Sequence, residues 1–160
     1  MRKEDIAQWD CHTRLEKFHD GEFEPYEVRD IEGNCMLNTG IDEIWDLVTG
    51  SVSQTNRVFN GTNAQIGVGE GTAAASGTQT DLQGTSTTYK AMESGYPTST
   101  AQAVTFKSSF GGTDANYAWN EWVVKSVAGT PTNICLNRKV EALGTKSSGT
   151  WTLEVSITLS

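Results

Sequence analysis

Hydrophobic and polar side chains alternate most regularly at the C-terminal end of the chain. In "TWTLEVSITLS" the apolar set Trp151, Leu153, Val155, Ile157 and Leu159 interleaves with Thr152, Glu154, Ser156, Thr158 and Ser160. A period of two over so many residues is the pattern of a half-buried antiparallel strand. A one-residue slip would turn the whole apolar set to water, so the register is well specified. "AVTFKSSF" repeats the pattern, with Val104, Phe106, Ser108 and Phe110 on one face and Thr105, Lys107 and Ser109 on the other. "AQIGVG" predicts a short strand carrying Ile66 and Val68 on one face. "YAWNEWVV" and "ICLNRKVEAL" predict a strand pair separated by "KSVAGTPTN", and "GGTDAN" and "GTKSSGT" are turn clusters. The polar stretch "EGTAAASGTQTDLQGTSTT" predicts a long loop anchored by Leu82 and Tyr89. Six or more strands without β-α-β alternation predict an antiparallel β-sandwich or jelly roll.

The period changes once. In "LNTGIDEIWDLVTG", Ile41, Ile44, Trp45 and Val48 fall at i, i+3, i+4 and i+7, one stripe of a helix. Asn38 or Thr39 can cap it, Asp42 and Glu43 fall near its positive end, and Gly50 supplies a left-handed stop. This predicts a short helix near 40–49 that packs its stripe on the sheet.

Residues 1–33 read differently. Large apolar groups are scattered among charges: Trp9, Leu15, Phe18, Phe23, Tyr26, Val28 and Ile31. A short amphipathic helix fits Ile6 to Phe18, and Pro25 turns the following stretch extended. Residues 1–32 hold ten Asp/Glu and five Lys/Arg, against ten acids and seven bases in all that follows. That break predicts an acidic N-terminal arm over 1–33 and a β-domain over 34–160. The arm has too little apolar area to fold alone. Either it frays in solvent, or it lies on a partner or neighbouring subunit through those seven residues.

Charge narrows the partners. The chain of 160 residues carries a formal net charge of -8, with a pI near 4.7. Phosphate backbones and anionic lipid repel such a surface, so neither nucleic acid nor membrane is an expected partner. No signal-peptide pattern or membrane-length apolar run is visible. Cys11, Cys35 and Cys135 are widely spaced and odd in number, which does not read as a disulfide framework.

Candidate chemistry is thin. The two histidines, His12 and His19, both lie in the charged N-terminal stretch, so a histidine-based triad would draw its base from there. Cys11, His12, His19 and Cys35 do not have zinc-finger spacing. "GVGEGT" has Thr72 where a dinucleotide fingerprint needs its third glycine, and a loop follows it rather than a helix. Glu121 stands between Trp119 and Trp122; with Tyr117, these aromatics are candidates for a sugar-binding surface, or simply core. No catalytic residue, metal ligand or cofactor is expected. Surplus aromatics without a catalytic set point to assembly, because large rigid rings give interfaces much area at low entropy cost.

Five segments together, "AQIGVGEGTAAASGTQTDLQG", "YKAMESGYP", "ANYAWNEWVV", "LNRKVEALGTK" and "WTLEVSITLS", resemble a family of small tailed-bacteriophage virion proteins over roughly residues 34–160. The resemblance implies a capsid decoration, or cement, protein made in the host cytoplasm. It would bind the major capsid protein and neighbouring copies on the outer surface of the shell, in the form of a homotrimer. A tail or fibre component is the structural alternative. A carbohydrate-binding module is the alternative of another class.

Overall fold

The computed structural model describes residues 8–51, 57–127 and 134–160. Ile6, at the start of the expected N-terminal helix, lies outside them, as do the loop positions 52–56 and 128–133. The described elements are β1 (Trp9–Phe18), β2 (Glu27–Glu32), β3 (Cys35–Met36), α1 (Asn38–Thr49), β4 (Ala64–Gly69), β5 (Thr87–Ala91), β6 (Thr98–Thr100), β7 (Ala103–Phe110), β8 (Ala118–Ser126), β9 (Ile134–Thr145) and β10 (Thr150–Leu159).

The strands form two antiparallel five-stranded sheets, in the orders β2-β1-β10-β7-β6 and β3-β9-β8-β4-β5. The expected antiparallel sandwich is what the chain builds. Trp151, Leu153, Val155 and Ile157 of β10 are buried, and they meet Phe106 and Phe110 of β7, Ile66 and Val68 of β4, and Trp119, Trp122 and Val124 of β8. The indole of Trp119 lies edge-on to both Phe110 and Trp151, with centroids 4.8 and 4.9 Å apart. Such pairs add about 0.5–1.5 kcal/mol beyond the area they bury.

The N-terminal arm is corrected. The stretch from Trp9 to Phe18 is a strand, not a helix or a tail, and it sits inside a sheet between β2 and β10. Its register with β10 runs unbroken from Trp9 opposite Leu159 to Phe18 opposite Thr150. Cys11, Thr13, Leu15 and Lys17 point inward and are buried. His12, Arg14 and Glu16 take the other face, where Arg14 pairs with Glu16 and Asp30. The physical reason is that β10 needs hydrogen-bonding neighbours on both edges to bury its apolar face, and β1 supplies one of them. The desolvation cost of burying Lys17 is offset by its partners: its Nζ reaches Glu27 and the Leu143 carbonyl, each at 2.8 Å, and lies over the Trp151 ring.

Helix α1 forms where expected and stops at Gly50 in the left-handed conformation (φ 68°). Its first turn differs: Leu37 is the N-cap and makes no side-chain cap, while the Thr39 hydroxyl donates to the Cys135 carbonyl at 2.9 Å. Its orientation differs too. The side laid toward the sheet is Gly40, Glu43, Ile44 and Leu47, leaving Ile41, Trp45 and Val48 exposed. Gly40 decides this. A Cβ there would come within 2.5 Å of the Leu136 carbonyl oxygen and 2.7 Å of its Cα. The helix backbone therefore rests directly on β9, and Glu43 beside it is buried against Arg57. Gly40→Ala should lower the urea unfolding midpoint. Overpacking against unyielding backbone costs about 1–3 kcal/mol, more than the ~1 kcal/mol that alanine gains in helix propensity.

Candidate functional site

Three features outside the main core bear on function: a clasped loop, a cavity at one end of the sandwich, and exposed apolar side chains.

The clasp is built around Glu121, on β8, and Arg138, on β9, both fully buried. A β-bulge between Trp119 and Glu121 shifts the facing of the strand. Both tryptophans can then enter the core while Glu121 turns to the other side of the sheet. There its carboxylate accepts hydrogen bonds from the backbone N–H groups of Gly71 (3.0 Å), Gln83 (3.0 Å) and Gly84 (2.7 Å), and from Arg138 Nε (2.8 Å). Arg138 in turn donates to the Ala73 carbonyl (3.0 Å) and Gln79 Oε1 (2.8 Å). The pair thus pins both ends and the middle of the loop 70–86. A Cβ at Gly69 or Gly71 would run into the Glu121 carboxylate, and one at Gly84 into the Gly71 backbone nitrogen at 2.6 Å. Leu82, expected as an anchor, is buried under this loop with Leu37, Val123 and Cys135, and Tyr89 packs against them.

Beside the clasp, Asp81 accepts hydrogen bonds from Lys125 Nζ (2.8 Å), the Tyr89 hydroxyl (2.7 Å) and the Leu82 N–H (2.9 Å). Burial alone would raise its pKa, but these donors outweigh burial and hold it below the ordinary carboxylate value. Burial, then Asp81, pushes the Tyr89 phenol up. A depressed carboxylate contributes stability that is complete above its unfolded pKa of about 3.9 and is lost as pH falls through the lower folded value. Asp81→Asn should therefore lower the melting temperature at neutral pH and flatten its fall as pH drops below the unfolded value of about 3.9. Thermal melts at neutral pH and in acid below that value check it.

The cavity opens at the end of the sandwich where β1 begins and β10 finishes. It measures about 390 Å³ and is lined mainly by apolar groups, among them Trp9, Ile44, Phe59, Val104, Phe106 and Ile157. Phe59 forms one wall and meets Phe106 edge-on at 6.4 Å. Among the described residues no ionised side chain lines it; its polar contributors are Ser99 and Gln102.

The expected site residues are dispersed. Leu15 and Ile31 belong to the core, Trp9 lines the cavity with its Nε1 bonded to Asn34, and Phe18 is half-buried at the far end of β1. Phe23 is 95% exposed at the β1–β2 turn; Tyr26 and Val28 are exposed as well, with Tyr26 stacked on His19. The seven do not form one contact surface. The candidate sugar surface is overturned: Trp119 and Trp122 are buried, their indole N–H groups bonded to the Ala115 carbonyl and the Thr13 hydroxyl. Tyr117 is partly buried and donates to the Val68 carbonyl or Thr88. Burial also pushes the Cys11 and Cys135 thiols up to about 11 and 12, which makes them poor nucleophiles. Among the described residues, no group of three or more His, Cys, Asp or Glu could hold a metal, and no helix is long and apolar enough to cross a membrane.

No protein-family model, curated protein or solved structure matches the chain. Segments singled out in the sequence meet in one place: "GVGEG" and "TDLQG" supply the loop ends, "NEW" supplies Glu121 and "NRK" supplies Arg138. Their chemistry is spent on holding a loop. Sequence reasoning missed Arg138 as the partner of Glu121. It also missed Phe59, whose signal was an apolar Val-Phe pair inside a polar run.

Proposed function

We propose that this chain is a non-catalytic structural component of a tailed-phage particle, which decorates the outer face of the capsid by binding the major capsid protein and neighbouring copies. The observation that carries this reading is the outward stripe of α1. Trp45 and Val48 are 62% and 72% exposed, and Ile41 joins them one turn earlier, on a helix already docked through its other side. Large apolar groups held together on a rigid surface element mark a contact site. The motif chemistry supports the same reading, because the charged pair of the clasp is consumed in positioning backbone. The net charge of -8 suits a surface that faces away from packaged nucleic acid. Individually weak contacts become firm when many copies bind one shell.

Co-sedimentation with empty shells of the phage that encodes the chain tests the proposal. The unaltered protein should pellet with the shells. Trp45→Asp, at an exposed position that leaves the core untouched, should reduce pelleting by tenfold or more. Unchanged pelleting of Trp45→Asp would remove the helix face from the contact, and failure of the unaltered protein to pellet would remove the capsid.

A further inference from the structure

We propose that Asn60 modifies itself: its side-chain amide loses ammonia to the neighbouring Gly61 nitrogen, and the chain acquires an aspartate or isoaspartate at the turn that leads into β4. This goes beyond the capsid reading and does not depend on it. Asn60 is the one asparagine of the sequence followed by glycine, and Asn60, Gly61 and Thr62 are all exposed to water. Three features of the turn favour the reaction. The Oδ1 of Asn60 accepts hydrogen bonds from the backbone N–H groups of Thr62 (3.0 Å) and Asn63 (2.9 Å). Donors aimed at that oxygen polarise the amide carbon and stabilise the negative charge that develops when a nucleophile adds to it. The Gly61 N–H, which supplies the nucleophile, donates no hydrogen bond among the described residues, so no acceptor competes for it. Glycine also leaves the approach open, because no Cβ stands beside its nitrogen.

The atoms balance with water as the only co-reactant, and nothing is oxidised or reduced. The Gly61 nitrogen gives up its proton and bonds to Asn60 Cγ; the Cγ–Nδ2 bond breaks, and the proton leaves with Nδ2 as ammonia. Water then opens the cyclic imide. Entering at Cγ, it leaves an aspartate in an unaltered main chain. Entering at the Asn60 main-chain carbonyl, it leaves isoaspartate, in which the longer main chain runs through Cβ and Cγ. The two products act differently on the fold. Aspartate keeps the Thr62 and Asn63 contacts and strengthens them, because an ionised acceptor forms the stronger hydrogen bond. Isoaspartate turns the Asn60 carbonyl, which accepts from Asn63 (3.2 Å) and Ala64 (2.8 Å), into a free carboxylate. It also crowds Gly61, where even a Cβ would come within 2.8 Å of the Tyr96 carbonyl oxygen.

Peptide mapping by mass spectrometry on the full chain, incubated at mildly alkaline pH, tests this. The peptide carrying Asn60 should progressively exchange its NH₂ group for OH, ahead of every other asparagine. Conversion should run roughly tenfold faster in the folded chain than in the same chain held unfolded in urea, because unfolding removes both turn donors; one such donor is worth more than that in an enclosed site and less in an exposed turn. Asn60→Ser keeps an oxygen for the turn N–H groups and has no amide to lose. It should fold and hold its charge on isoelectric focusing while the unaltered chain drifts to more acidic forms. An unchanged Asn60 peptide, conversion in the folded chain equal to or slower than in urea, or an acidic drift undiminished in Asn60→Ser would each overturn the proposal. Shell pelleting of freshly purified protein is read separately, so this test and that of the capsid reading can fail independently.

Discussion

Deleting residues 1–32 should abolish folding. The deletion removes β1 and β2, and β1 is an interior strand whose ten residues pair along the full length of β10. Leu15, Ile31 and Cys11 leave the core, and the two larger side chains alone cost about 1.5–3 kcal/mol each. The loss does not stop there. One edge of β10 becomes unpaired, and the inner faces of Leu153, Val155, Trp122 and Leu143 lose cover. Lys17, which ties β1 to Leu143 on the opposite sheet, goes too. Against a typical domain stability of 5–15 kcal/mol, no folded remainder is expected. One-dimensional proton NMR reads this directly: the truncated chain should show collapsed amide dispersion and no upfield methyl signals. A dispersed spectrum would mean that β1 and β2 are an appendage to a smaller sandwich.

Glu121→Ala should cost about 3–5 kcal/mol, the usual penalty for breaking a buried ion pair from one side. The substitution leaves the Arg138 guanidinium buried without its counter-ion and strips the acceptor from the N–H groups of Gly71, Gln83 and Gly84. Each orphaned N–H adds a desolvation cost that no neighbouring side chain relieves. The effect should be local first. With its clasp gone, the loop 70–86 should become cleavable by protease under native conditions, where the unaltered protein should resist cleavage. Glu121→Gln, which keeps the shape but turns an NH₂ group toward donors, should fall between the two. Urea unfolding gives the size of the loss, and limited proteolysis gives its place. An Ala substitution with unchanged stability and an uncleaved loop would show that the pair is incidental.

The legible parts of the sequence were those where one physical rule acted alone. β10 and β7 alternate because each has one dry face and one wetter face, with the buried Thr152 of β10 and Ser108 of β7 as the polar exceptions. The extent of α1 followed from its periodicity and from Gly50. β1 was hidden because its inward positions include Thr13 and Lys17. Both are polar by type, and both are buried against partners far along the chain, Trp122 for Thr13 and Leu143 for Lys17, which also reaches Glu27 on the neighbouring strand. The docking side of α1 was misread for a similar reason. Counting apolar residues favoured Ile41, Trp45 and Val48, whereas backbone contact at Gly40 set the orientation. Trp119 and Trp122, three apart, would face opposite ways on a regular strand. Only the bulge brings both inward, and nothing in "WNEW" announces it. Glu121 drew attention by its aromatic flanks, but its role depended on Arg138, on the neighbouring strand, and on a loop some forty to fifty residues earlier.

We propose that this sandwich works by contact, on the outside of a phage shell. If so, electron cryomicroscopy of phage particles that carry the chain, compared with particles from which it has been deleted, gives the sharpest test. Added density is expected on the outer capsid surface, shaped as a two-sheet sandwich with α1 turned toward the shell. Density confined to the tail, density on the inner surface, or indistinguishable particles would rule that arrangement out.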